Sequence, residues 1–141
     1  MIRKFKPEDE TIILTMWMKA NFRVNSFIER DFWLEKFNKM KENIFTRDTY
    51  IYEENNKIKG FINIKNNNIT AIVVKEEYIG KGIGRKLVNK CKEKNDILTI
   101  RIYEKNTQGL IFMARMEFNN ICMQIDKETN QKEYILEWKN V

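Results

Sequence analysis

The chain has 141 residues, 43% hydrophobic and 33% charged, with 26 Lys and Arg against 20 Asp and Glu for a formal charge of +6. That composition fits one globular domain over 1–141 and excludes collagen-like, low-complexity and disordered classes. The lack of histidine excludes an imidazole triad or histidine metal site, and two cysteines are too few for a disulfide framework or a four-thiolate zinc site.

Along the chain, 2–6 (IRKFK) alternates apolar and basic residues and predicts a short strand. Pro7 opens a helix with Glu8, Asp9 and Glu10 in its first turn and Ile13, Met16, Trp17 and Ala20 at helical spacing. A second helix carries Trp33, Phe37, Met40 and Ile44 as an apolar stripe. Residues 49–53 and 57–65 then alternate as strands about an Asn55-Asn56 hairpin turn. After a second turn at 66–68 comes 69–75, whose continuous apolar run suits a strand buried on both faces. A three-glycine loop leads into a helix bearing Ile83, Leu87, Val88 and Cys91 on one face. Strand 97–103, a short helix from near Asn106 and two strands, 118–125 and 133–139, complete the chain. The order β-α-α-β-β-β-α-β-α-β-β predicts an α/β (α+β) fold, with a mixed, mostly antiparallel sheet of about seven strands and helices on both faces. Cys91 and Cys122 both read as packing residues. The charged N-terminus and short apolar runs point to a cytoplasmic protein without a membrane segment.

Chemistry concentrates at Gly80-Lys81-Gly82-Ile83-Gly84, between a strand and a basic helix. Glycines let a phosphate approach the backbone, and free amides at a helix start attract it; Lys81, Arg85, Lys86 and Lys90 add charge. A dinucleotide fingerprint would need glycine where Arg85 stands, and no Walker A string exists.

The stretch Ile79 to Gly84 (IGKGIG) resembles the pyrophosphate loop [RQ]-x-x-G-x-[GA] of the GNAT superfamily, the acyl-CoA-dependent N-acetyltransferases. Asn106, Gly109, Phe112 and Phe118 resemble that family's second signature, N-x-x-A-x-x-F-Y-x-x-x-G-F, and the element order matches over essentially the whole chain. The resemblance implies a fourth strand splayed from the fifth, with acetyl-CoA as cosubstrate in the wedge and no metal. Its pantetheine would lie along Val73 and Val74, its pyrophosphate on Ile79, Gly80, Lys81, Gly82, Ile83, Gly84 and Arg85, and its arm beside Asn106 and Met113. Asn is also a preferred N-cap, a role compatible with that one.

Three positions depart from the family pattern: Ile79 replaces Arg or Gln, Met113 replaces the usual acid tyrosine, and Glu117 replaces the closing glycine. A thiol with a pKa near ~8.5 is a tolerable leaving group, so loss of the acid slows rather than forbids transfer. Tyr103, Tyr78 and Glu104 remain as catalytic candidates. Asn68 and Thr70 occupy strand positions where relatives keep a relay, and Glu53, Glu54 and Glu104 are the nearest bases. Trp17, Phe22, Phe27 and Trp33 are candidates for the acceptor wall, with core packing as the plainer role.

These readings imply acetyl transfer to a small amine or peptide amine by direct attack in a ternary complex, by a monomer or homodimer. One alternative is an acyl-CoA-binding protein with weakened turnover. Another, a basic nucleic-acid-binding domain, lacks any readout motif.

Overall fold

The computed structural model describes residues 1–46 and 48–141, apart from the side chain of Thr46. The strands are β1 (Ile2–Lys4), β2 (Asp48–Glu54), β3 (Lys57–Lys65), β4 (Asn68–Val74), β5 (Ile97–Tyr103), β6 (Asn119–Ile125) and β7 (Lys132–Lys139). The helices are α1 (Glu10–Val24), α2 (Arg30–Thr46), α3 (Ile83–Lys94) and α4 (Thr107–Arg115). All seven strands form one sheet in the order β1-β2-β3-β4-β5-β7-β6, antiparallel throughout except for the parallel pair β4–β5. This is the predicted element order and class. Among the described residues, no helix is long and apolar enough to cross a membrane.

The hairpin turns follow from residue type. Asn55 and Asn56 both take positive φ, 54° and 61°, the conformation a two-residue hairpin loop requires. Ahead of α1, the predicted helix at Pro7 begins as a 3-10 turn, and β1 ends at Lys4 rather than residue 6. Asp9 does more there than favour a helix start. Its carboxylate accepts two bonds from the Arg3 guanidinium, at 2.8 and 3.0 Å, and one from the Lys6 amide at 2.8 Å.

Two apolar cores flank the sheet. On one face α3 and α4 bury Leu87, Val88, Cys91 and Met113 against Ile62, Ile64, Leu98 and Leu136. On the other, α1 and α2 bury Ile13, Leu14, Trp33, Met40 and Ile44 against Ile51, Phe61 and Val73. Complete removal of aliphatic side chains from water, at roughly 1.5–3 kcal/mol each, makes these faces the main source of stability.

Two expectations need correction. In β4 only Ile69 and Val73 are buried, because its neighbour β5 leaves after two residue pairs, Asn68 with Thr99 and Ile69 with Ile100. Cys122 is exposed, since β6 is the sheet edge and all but one of its residues are exposed.

Candidate active site

The parting of β4 and β5 has a local cause. Opposite β3, Asn63 pairs with Ala71 and Ile64 with Ile69, so Thr70 is an extra residue in β4. A bulge of this kind bends the strand that carries it. Beyond Ile69 the β5-facing edge of β4 has no strand partner among the described residues, and a cleft of about 830 Å³ opens between the two strands.

Beneath this bulge lies a polar network that sequence reasoning missed. Asn63 is fully buried; its amide nitrogen donates to the Thr49 hydroxyl, and its side-chain oxygen accepts from the hydroxyl of Thr70, which lines the cleft. The signal in the sequence was a lone Asn within the apolar run of β3.

At one end of the cleft sits the glycine loop. Gly80 and Gly82 have φ of 86° and 84°, so both hold left-handed backbone that other residues resist. Gly82 is the N-cap of α3 and makes no side-chain cap, so the first-turn amides remain for an incoming anion, with no carboxylate in that turn. Gly84 has a different reason to be glycine: a Cβ there would lie 3.0 Å from the Phe112 ring, so its absence lets α4 pack on α3. Val73, Val74, Ile79, Gly80, Gly82, Ile83, Gly84, Arg85, Asn106 and Met113 all line the cleft, whereas Lys81 does not. The Asn106 side-chain oxygen accepts the Gly109 amide at 3.0 Å, so this residue both caps α4 and faces the cleft. A Cβ on residue 109 would lie 2.6 Å from the Asn106 amide nitrogen, which explains Gly109 in place of alanine.

The expected proton-transfer groups are otherwise engaged. Met113 is 1% exposed and packs in the core. The Tyr103 hydroxyl donates to Asp126 at 2.6 Å; burial first, then that bond, push its pKa well above the usual phenol value. Glu104 accepts from the Tyr134 hydroxyl at 3.1 Å and lies outside the cleft. Glu53 and Glu54 also lie outside it, paired with Arg3 at 3.1 Å and Lys59 at 2.7 Å. Asn68 accepts from the Thr99 hydroxyl at 3.0 Å. Tyr78 does line the cleft. Among the described residues, no carboxylate does.

Aromatic groups of α1 and α2 form another wall of the cleft. Trp17 and Trp33 meet edge to face at 5.9 Å, and Phe32, absent from the sequence reading, adjoins Trp33 at 4.9 Å. Phe22 and Phe27 are not part of this wall. Phe22 lies under the Arg30 guanidinium at 4.6 Å, and Phe27 packs on Tyr103 at 5.7 Å. On α3, burial first and then the Asp48 charge push the Cys91 thiol up to about 12, so it remains a protonated packing group.

Comparison with known proteins supplies the context for this geometry. Residues 46–120 match the family model described as an acetyltransferase (GNAT) domain. The chain is 22% identical over 140 residues to the peptidyl-lysine N-acetyltransferase YiaC of Escherichia coli, covering 98% of this chain and 96% of that one. Its fold is similar to apo YjaB of Escherichia coli, with a TM-score of 0.86 and 18% identity over 98% of this chain and 96% of that one. It is also similar to the PaiA N-acetyltransferase of Thermoplasma acidophilum in complex with coenzyme A. There the TM-score is 0.79, with 20% identity over 99% and 98% of the two chains.

Proposed function

As the chain belongs to the GNAT acetyltransferase family, we propose that it moves an acetyl group from acetyl-CoA to a primary amine by direct attack in a ternary complex. The observation that carries this reading is the open, unpaired edge of β4 running into the two left-handed glycines at the start of α3. That edge offers amides and carbonyls to a pantetheine arm, and the loop offers amides to a pyrophosphate, with Arg85 beside it. The described residues therefore fit the cosubstrate. The PaiA neighbour's coenzyme A complex is consistent with that fit.

In this mechanism the cleft brings the amine nitrogen to the thioester carbonyl from the α1–α2 side. The C–N bond forms, the C–S bond breaks, the nitrogen loses a proton to solvent water, and CoA leaves as thiolate. A β4 amide would stabilise the developing oxyanion. Holding both reactants in one cleft supplies most of the acceleration, since Met113 has no proton to give. Met113 and the absence of a lining carboxylate also favour the second reading, an acyl-CoA binder with little turnover.

A thermal melt with acetyl-CoA, CoA and ATP tests the cosubstrate. At ~100 times its dissociation constant a ligand adds about 2.7 kcal/mol, a rise of roughly 5 to 10 °C at this chain length. Acetyl-CoA and CoA should both give that rise and ATP should not; equal melts with all three at millimolar concentration would end the proposal. Amine-dependent release of free thiol then separates the enzyme from the binder.

A further inference from the structure

The charge of the acceptor end is one-sided. On β5, Ile100 and Ile102 pack into the α3–α4 core, so Arg101 and Tyr103 face the α1–α2 side. Across from them, α2 presents Phe32, Lys36, Lys39, Met40 and Asn43 to the cleft. Lys36 is neutralised by Glu128 at 2.6 Å. Lys39 has no carboxylate within ion-pair distance among the described residues, and is exposed. The nearest carboxylate to Arg101 is Glu133 at 4.0 Å, whose oxygen already accepts from the Gln124 amide at 2.6 Å. Two cations therefore flank this space, Lys39 unpaired and Arg101 paired only at 4.0 Å with a carboxylate shared with Gln124, and no acid among the described residues lines it.

We propose that the acceptor carries its own anionic group, a carboxylate or phosphate close to the amine, held by Lys39 and Arg101. The proposal rests on the acetyl-transfer reading and narrows it. The rest of the acceptor is apolar, because Trp17, Phe32, Trp33 and Met40 form the wall beside those cations. Among the described residues the buried Trp33 indole N–H has no partner, so this wall holds one further unused donor. A polyamine finds the reverse of what it needs: positive charge at the rim and no carboxylate to receive a second ammonium. Pairing the substrate's anion with Lys39 and Arg101 also removes that anion's hold on the neighbouring ammonium proton. The neutral amine that must attack is favoured without a protein carboxylate acting as base.

The test is a calorimetric titration of the CoA-loaded protein with three amines of one skeleton: L-phenylalanine, L-phenylalaninamide and 3-phenylpropane-1,2-diamine. The phosphonate analogue of phenylalanine separates carboxylate from phosphate recognition. L-Phenylalanine or its phosphonate should bind about tenfold or more tightly than the amide, with the diamine weakest. Lys39→Glu and Arg101→Glu should each abolish that preference, and a melt of each variant checks that it is folded. Equal or tighter binding of the amide or diamine, no binding of any of the four, or a preference that survives both charge reversals overturns the proposal. Failure of CoA to bind in the loading step instead removes the acetyl-transfer reading, and the same titrations on the free protein still score the charge preference.

Discussion

Glu117 ends α4 in a left-handed conformation, φ 70°, with its own N–H bonded to Ala114 and the Phe118 N–H bonded to Met113, both at 3.0 Å. This helix ending favours glycine, because a side chain in that region strains the backbone by about 1 kcal/mol or more. Glu117→Gly is expected to raise stability by about 1 kcal/mol, read as a higher denaturant midpoint at unchanged slope. A lower midpoint would show that the glutamate side chain contributes more than its backbone costs. Asp9 offers a signed pH dependence. The Arg3 bonds come first among the causes that hold its pKa below the usual aspartate value, with burial opposing them. Its stabilisation is therefore present above the unfolded value of ~3.9 and is lost as pH falls from there through the lower folded value. Asp9→Asn should cost about 1–3 kcal/mol at neutral pH, a deficit that shrinks toward zero in acid. A deficit independent of pH would mean the contact acts through packing.

At the scale of elements, the strands and helices were legible wherever one residue type answers one physical demand. The Asn-Asn turn, the apolar stripes of α1 and α2 and the glycine-to-helix junction before α3 all fell where their patterns put them. Less was legible where burial depends on a distant neighbour. The run from Ala71 to Val74 is as apolar as a central strand, yet the departure of β5 leaves Ala71, Ile72 and Val74 only partly buried. Cys122 also reads as a packing residue, but β6 is an edge, and beside it Ile121, Met123 and Ile125 are at least half exposed. In the site, the glycines could be found, but their separate duties could not. Gly80 and Gly82 answer a backbone need within the loop, while Gly84 answers to Phe112 on another helix, a contact no local pattern encodes. The charge of the acceptor end was hidden for the same reason: Lys39 and Arg101 are far apart in the chain and become neighbours of one cleft only through the sheet.

At the scale of the whole molecule, β1 to β4 and β5 to β7 form two blocks of sheet joined edge to edge by two residue pairs. The Thr99 N–H to Asn67 carbonyl bond, at 2.8 Å, lies at that same end of the junction. Local opening occurs where few bonds must break, so this junction is the expected seam of the fold. Amide hydrogen exchange should be faster at 71–74 than in β3, and acetyl-CoA should slow it. Protection confined to the α3 loop would mean the ligand touches only one block. Protection that also reaches 100–103 on the opposite bank would show the two blocks moving as one body. The bulge at Thr70 would then set the mechanics of the molecule: the sheet is weakest where it works, and a ligand in the cleft would stiffen it by bridging the gap the extra residue opened.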